Sequence, residues 1–462
     1  MKLSSTYSTL ALVAASVLST AGALELTVGD TESVCSAATE LVDGIMDYYL
    51  GTRYGGTVGM FQQPYYWWES ALVFGGMIDT WKICNNYTYV STIQSAISHQ
   101  KGDSNDFYGV PNQTHVEAND DQVFWGFTVL EAAERDFPAY SNNSGDPSYA
   151  DLALNVYNSM ADRWDADNCG GGLRWQIMSN MSGWTYKSTV SNAGVFALGA
   201  RLARYTGDNE LVKSSSRILR WMKKAFFVHA PTDDSDNAGN YYNVYDGADI
   251  VNGSCPVVNG AIWSYNYALM TMGSAYLYNA TGDDAWGSEL DKFLGGIEHY
   301  FLSPNATDVL YEYQCLQWGR CNNDQRSFRA IVARALGDVV VLAPSFADRA
   351  NKIIDASAKG AASACSGGSD GHTCGMSWSD GDWDGFYGLG EQIAALEIIQ
   401  NSVIGSSGVP CTEETCGDKL DSSSFVTVPA PTVTRHFTKT STAVHTETHT
   451  TSVVTELFYT AK

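Results

Sequence analysis

Apolar residues recur at helical spacing in twelve stretches of the chain, over approximately 33–50, 64–83, 87–100, 118–136, 147–164, 188–206, 208–229, 260–281, 283–301, 325–342, 345–364 and 384–402. The connections alternate in length. Cys84–Asn86, Gly207, Gly282 and Ala343–Pro344 are short, whereas 51–63, 101–117, 165–187, 230–259, 302–324 and 365–383 are long; 137–146 is intermediate. Tyr-Thr-Gly-Asp at 205–208 and Tyr-Asn-Ala-Thr-Gly-Asp at 278–283 read as one turn used twice, in which Gly ends a helix and Asp caps the next. Every second stretch carries small and aromatic residues on all sides, as in Ala71-Leu72-Val73-Phe74-Gly75-Gly76 and Ser191-Asn192-Ala193-Gly194-Val195-Phe196. That is the pattern of a helix packed all round. Six hairpins with an inner and an outer helix each predict an all-α (α/α)6 barrel; an open helical solenoid is the alternative. All six long loops then lead into inner-helix N-termini at one end of the barrel.

The pattern breaks at both ends. Residues 1–23 carry Lys2, an apolar core from Thr9 to Leu18 and Ala21-Gly22-Ala23, and read as a secretory signal peptide. The folded body is expected over 24–418. Residues 419–462 are rich in Ser, Thr and Val, lack helical periodicity and read as a disordered tail, with an end too short and polar for a lipid-anchor signal. Ten cysteines in a secreted chain imply disulfides, with local bridges plausible for Cys315–Cys321, Cys365–Cys374 and Cys411–Cys416. Sequons stand at Asn86, Asn112, Asn142, Asn180, Asn252, Asn279 and Asn305. These features place the chain in the secretory pathway, either secreted or associated with wall or membrane.

Charge and composition narrow the partners. A net charge of −24, from 51 acids and 27 bases, makes nucleic acid and anionic membranes poor partners. Aromatic residues make up 12% of the chain and suit the C–H faces of sugars, although many will build the core. No Cys/His cluster has zinc spacing, and the acids at Asp380, Asp382 and Asp384 lack the Gly and Glu placement of an EF-hand. No metal or cofactor is expected.

The best candidate chemistry lies in Glu117-Ala118-Asn119-Asp120-Asp121, where a polar loop becomes an apolar helix. Two neighbouring carboxyls can hold different protonation states, because one charge helps keep the other's proton on. The helix N-terminus favours the ionised partner. An acid beside a carboxylate is what acid/base and nucleophilic work on a glycosidic bond requires. The plainer reading is that Asn119 or Asp120 caps the helix.

Several segments resemble one family in order along the chain: Pro64-Tyr65-Tyr66-Trp67-Trp68-Glu69, Gly109-Val110-Pro111-Asn112-Gln113-Thr114, Asn119-Asp120-Asp121-Gln122-Val123-Phe124-Trp125-Gly126, Cys169-Gly170-Gly171-Gly172-Leu173-Arg174-Trp175-Gln176, Ser191-Asn192-Ala193-Gly194 and Trp378-Ser379-Asp380-Gly381-Asp382-Trp383. Over roughly residues 30–405 the chain resembles glycoside hydrolase family 76, the endo-α-1,6-mannanases, and within it the fungal cell-wall branch. The resemblance implies an (α/α)6 barrel and a retaining mechanism with Asp120 as nucleophile and Asp121 as general acid/base. It also implies mannan, or the mannose of a GPI glycan, as donor, and wall β-glucan as a possible acceptor for a transglycosylase. Around the pair, Asn119 and Gln122 are candidate sugar ligands, as are Trp175 and Gln176 after the glycines, Asn192, Tyr265, Asn266 and Asp382. One of Trp67 and Trp68 is expected to stack on sugar and the other to pack in the core. The chain is expected to act as a monomer. A lyase on the same barrel, or a non-catalytic mannan-binding wall protein, are the alternatives.

Overall fold

The computed structural model describes residues 23–51, 53–110, 117–231, 240–369, 371–416, 420 and 425–429. The predicted leader, the Asn112 sequon and most of the predicted tail lie outside the described residues. The twelve long helices are α1 (Thr31–Met46), α2 (Trp67–Cys84), α3 (Val90–Gln100), α4 (Asn119–Glu134), α5 (Tyr149–Asp162), α6 (Thr189–Thr206), α7 (Asn209–Lys224), α8 (Ser264–Thr281), α9 (Asp284–Tyr300), α12 (Phe328–Leu342), α13 (Ala347–Ala364) and α14 (Leu389–Asn401). Short helices α10 (Tyr313–Leu316) and α11 (Asn323–Arg326) precede α12, and α15 (Glu413–Cys416) follows α14.

The inner ring runs α2, α4, α6, α8, α12, α14, and α14 packs back on α2, so the ring closes. The outer helices α1, α3, α5, α7, α9 and α13 lie against it. This is an (α/α)6 barrel. Inner helices are buried on every side, whereas an outer helix such as α7 buries one stripe, Leu211, Ser214, Ser215, Ile218, Leu219, Trp221 and Met222. The repeated turn forms as its residues dictate. Gly207 and Gly282 close α6 and α8 with φ of 72° and 63°, and Asp208 and Asp283 accept the backbone N–H of Glu210 and Ala285 to start the next helix.

Seven short strands of two or three residues interrupt the all-α expectation, all within long connections. The largest sheet joins β1 (Tyr186–Ser188), β4 (Gly247–Asp249) and β5 (Val258–Asn259), antiparallel, with Tyr186 opposite Asp249 and Gly247 opposite Asn259. It welds the loop before α6 to the loop before α8. Two antiparallel pairs complete the set, β2 (Val228–His229) with β3 (Asn243–Val244) and β6 (Cys365–Gly367) with β7 (Thr373–Cys374).

All ten cysteines are paired. The three local bridges join Cys315–Cys321, Cys365–Cys374 and Cys411–Cys416. Cys35–Cys84 ties α1 to the end of α2, and Cys169–Cys255 staples together the same two loops that share the sheet.

The described body extends past the predicted boundary at 418. Val428 is fully buried, its N–H donates to Ser214 Oγ (2.9 Å) and its carbonyl accepts from Arg217 (3.0 Å), while Val426 N–H donates to Asn158 Oδ1 (2.9 Å). This strap lies across α5 and α7. Its valines, read as tail on composition, fill an apolar seam.

A charged network sits inside the barrel among the C-terminal halves of the inner helices. Arg135 pairs with Asp79 (2.8 Å) and Glu131 (2.7 Å), Arg201 with Glu131 (2.6 Å) and Glu134, and Arg334 with Glu397. Burial alone would raise Glu131, but Arg201, Arg135 and Arg334 hold it well below the usual carboxylate range. Buried charges survive here because each has a partner.

Candidate active site

The six inner N-termini meet at the long-loop end, and Asp120 and Asp121 occupy the first turn of α4. The cap residue is Ala118, whose N–H donates to Asp121 Oδ2 (2.9 Å). Asp121 at the third helical position therefore does the capping that Asn119 or Asp120 was expected to do. Asp120 Oδ2 accepts the indole N–H of Trp175 (3.0 Å), while Oδ1 is shielded from solvent and has no hydrogen-bond partner among the described residues.

The two carboxyls are in unequal surroundings. Burial pushes Asp120 up to about 7, against the Trp175 hydrogen bond that favours its charge, and the nearby charge of Asp324 adds to the rise. Asp121 is raised well above the usual range by burial and then by the charge of Asp120. Asp120 thus ionises first, and Asp121 keeps its proton. That division suits an anionic nucleophile beside an acid.

Trp175 is held from below. Lys187, fully buried, pairs with Asp165 (3.1 Å) and donates to the carbonyls of Gly171 (3.0 Å) and Gly172 (2.6 Å). Arg174 pairs with the same Asp165 (2.8 Å). The glycines of this segment face core aromatics: a Cβ on Gly172 would lie 2.2 Å from Trp221. Gly183, at φ +93°, leaves room for the Trp175 ring, which a Cβ there would meet at 2.4 Å. Trp175 remains 37% exposed, so one face of it is open to a ligand.

Opposite Trp175 stands a residue the sequence reading missed. Asp324, in α11, accepts the indole N–H of Trp68 (3.0 Å). Trp68 packs on Phe124 (4.9 Å between centroids) and Phe328 (6.4 Å), and Phe328 packs on Tyr265 (4.2 Å). Tyr265 and Tyr186 donate to Asp246 (3.4 and 2.6 Å), and Tyr186 accepts Trp175's backbone N–H (2.7 Å) at its carbonyl. The cleft is therefore a ring of aromatic side chains carrying Asp120, Asp324 and Asp246. Burial raises the Tyr265 hydroxyl well above its ordinary value, and the charges of Asp246, Asp324 and Asp120 add to it, which places this ring among all three acids.

Most of the other expected ligands are engaged elsewhere; Asn266 is the exception. Asn119 and Gln122 are buried and held by Arg163, which donates Nε to Asn119 Oδ1 (2.9 Å) and another N–H to Gln122 Oε1. Asn119 donates on to the carbonyl of Arg174 (2.9 Å) and Gln122 to that of Asp106 (2.7 Å). Their role is to fix the first turn of α4. Trp67 is the core member of its pair, stacked near Trp125 and donating to Gln100 (2.8 Å). Asn192 is fully buried and brackets Leu173 through that residue's N–H and carbonyl (2.8 and 3.0 Å). Gln176 pairs with Ala118 in an isolated bridge and is buried. Asn266 is enclosed, and neither amide atom has a partner among the described residues. Asp382 is exposed and accepts from Ser366 Oγ (3.0 Å) and Trp383 N–H (2.8 Å). Asp384 organises its own loop through the N–H groups of Met376, Ser377 and Phe386, and the cap residue of α14 is Gly388.

A closed helical barrel whose mouth holds an unequally protonated pair of adjacent aspartates among aromatic rings is the architecture of a glycoside hydrolase. The family model of glycosyl hydrolase family 76 matches residues 33–414. Among curated proteins, mannan endo-1,6-alpha-mannosidase DFG5 of Saccharomyces cerevisiae is 43% identical over 397 residues, covering 86% of this chain and 83% of its own length. Mannan endo-1,6-alpha-mannosidase DCW1 of Candida glabrata is 44% identical over 409 residues, 88% of each chain. Among solved structures, Dfg5 of Chaetomium thermophilum in complex with glucosamine superposes with TM-score 0.76 at 32% identity, covering 84% of this chain and 94% of that one. An inactive variant of a Salegentibacter α-1,6-mannanase, with two consecutive aspartates replaced by asparagine and α-1,6-mannotriose bound, shares the fold at TM-score 0.61 and 16% identity, covering 80% and 99%. The chain belongs to glycosyl hydrolase family 76 and is a glycoside hydrolase.

Proposed function

We propose that the chain is a retaining, endo-acting α-1,6-mannosidase whose donor is mannan or the mannose core of a GPI glycan. The observation that carries the reading is the pair Asp120–Asp121, adjacent in sequence but unequal in proton affinity, at the floor of an aromatic cleft. In the first step a carboxylate oxygen of Asp120 bonds to the anomeric carbon. The glycosidic C–O bond breaks with its electron pair going to the leaving oxygen, which takes the proton of Asp121. In the second step Asp121, now ionised, takes a proton from an acceptor hydroxyl whose oxygen displaces Asp120. Retaining chemistry needs carboxyls about 5–5.5 Å apart, a spacing neighbouring side chains can reach.

The names of the fungal relatives support the α-1,6-mannoside donor, and the solved mannanase that is inactive without its two consecutive aspartates supports the pair. If water is the acceptor the outcome is hydrolysis. With a β-glucan hydroxyl it is transglycosylation, as cell-wall assembly would require. Five disulfides fit an oxidising, secretory route to the wall, membrane or medium.

The test is product analysis by mass after incubation with α-1,6-mannotetraose, with and without a β-glucan oligosaccharide. Wild type is expected to yield shorter mannosides or a mannosyl-glucan, and Asp120→Asn to yield neither while still binding the tetraose. Binding without turnover in wild type under both acceptors would instead establish a wall lectin.

A further inference from the structure

Of the three carboxyls in the ring, the mechanism above uses Asp120 alone. Asp246 is engaged by Tyr186 and Tyr265, and Asp324 has a mounting as elaborate as that of Asp120. Its Oδ1 is pinned by Trp68 as Asp120 Oδ2 is pinned by Trp175, at 3.0 Å in both cases. The short helix that carries it is fastened on three sides. Asn322 accepts the N–H of Gln325 (2.8 Å) to cap it, Arg326 pairs with Glu391 of α14 (3.0 Å), and Ser327 donates to Glu69 of α2 (2.7 Å). Glu69 in turn accepts the N–H of Tyr66 (2.7 Å), which closes the first turn of α2 just before Trp67 and Trp68.

The geometry also says where Asp324 faces. Asp120 and Phe124 are four residues apart on α4 and share a face of it. Trp68 lies on Phe124 and holds Asp324, so the carboxylate stands across the cleft from Asp120. Its charge is among the influences that raise Asp120, Asp121 and Tyr265. A negative group so placed makes it harder to ionise the nucleophile, and the structural return is a single hydrogen bond from the Trp68 indole. Among the described residues, Trp68 is the one side chain that donates to it. Burial lifts its own carboxyl only to about 6, so at neutral pH it is an ionised acceptor with capacity to spare.

We infer that Asp324 is a substrate-contacting residue that accepts a sugar hydroxyl from the wall opposite the nucleophile, and that Trp68 is its positioning residue. The inference rests on the α-1,6-mannosidase reading of the same cleft. The bond from the sugar to Asp324 would hold the sugar ring from one wall, while the bond from Trp175 aims the Asp120 carboxylate at it from the other. Hydrogen bonds to ionised groups are about twice as strong as neutral ones, so this contact should contribute strongly to binding.

The experiment compares Asp120→Asn with the double variant Asp120→Asn/Asp324→Asn for binding of α-1,6-mannotetraose by calorimetry, and wild type with Asp324→Ala for kcat/KM on the tetraose and on mono-deoxy α-1,6-mannobiosides. The expected result is an affinity at least tenfold weaker in the double variant. One deoxy analogue should cost wild type about tenfold and cost Asp324→Ala nothing further. A merely structural role would lower both variants' melting temperatures and leave the deoxy pattern of Asp324→Ala like that of wild type. Equal affinities, or an unchanged deoxy pattern, overturn the inference while leaving the Asp120–Asp121 reading intact. Failure of Asp120→Asn to bind the tetraose at all overturns both.

Discussion

Replacing Trp175 by Phe removes the indole N–H together with part of the ring, and pH dependence separates what the donor does for Asp120 from what the ring does. The smaller ring gives up part of the contact over Gly183, a loss that does not depend on pH, whereas the 3.0 Å bond to Asp120 Oδ2 acts on the carboxyl's ionisation. Hydrogen bonds to charged groups contribute about 1.5–3 kcal/mol. Trp175 is 37% exposed, so water can replace part of the lost donor, and the low end applies. About 1.5 kcal/mol corresponds to roughly one pH unit. The bond favours the ionised carboxylate, so its loss moves Asp120 upward from about 7. In kcat/KM, which reports the free enzyme, the acid limb should shift toward higher pH by about one unit. Well below the limb the rate should fall about tenfold further than well above it, where only the pH-independent loss from the smaller ring remains. The assay is kcat/KM for α-1,6-mannotetraose across the pH range. An equal loss at every pH would mean that Trp175 acts by packing on sugar alone. An unmoved limb with no loss would refute the assignment of Asp120 as the group that must be ionised.

Asp120→Asn should stabilise the fold. The native carboxyl sits at about 7 against an ordinary value of 3.8, so it costs stability as pH rises through that window, and the cost is complete above it. Discounted for partial exposure, the gain should be about 2 kcal/mol above neutrality and vanish below pH 4; denaturant melts at pH 4 and 8 measure the difference. Arg201→Met should destabilise by about 3–5 kcal/mol, because Glu131 and Glu134 lose a buried partner, yet leave KM unchanged in the folded fraction; thermal melts with kinetics below the transition check it.

Much of the barrel was legible because its signal is local. A helix packed on all sides and one packed on a single face write different patterns within eighteen residues, and the turns at Gly207–Asp208 and Gly282–Asp283 announce themselves. The strands were not legible. Tyr186–Ser188 is a strand only because Gly247–Asp249, some sixty residues on, lies beside it. The site divided in the same way. Asp120 and Asp121 stand out as neighbours at a helix start, but Asp324 and Asp246 join them only through folding, from loops with no motif of their own. Asn119 and Gln122 were read as sugar ligands because the amides flank the acids. Arg163, at the end of α5, lies 44 and 41 residues along the chain from the two amides, and nothing near it in sequence says that its guanidinium claims both.

The strap at 425–429 decides how the drum can be moored. It is pinned first at Asn158, near the open end of α5, and next at Ser214 and Arg217, midway along α7. Residues 425–429 therefore run along the side wall, over α5 and α7, and not over the bowl. A pull transmitted through residues 425–429 would be borne by Val428 in its seam and by the Arg217 clasp. That path of force runs through α5 and α7 and bypasses the catalytic pair on α4.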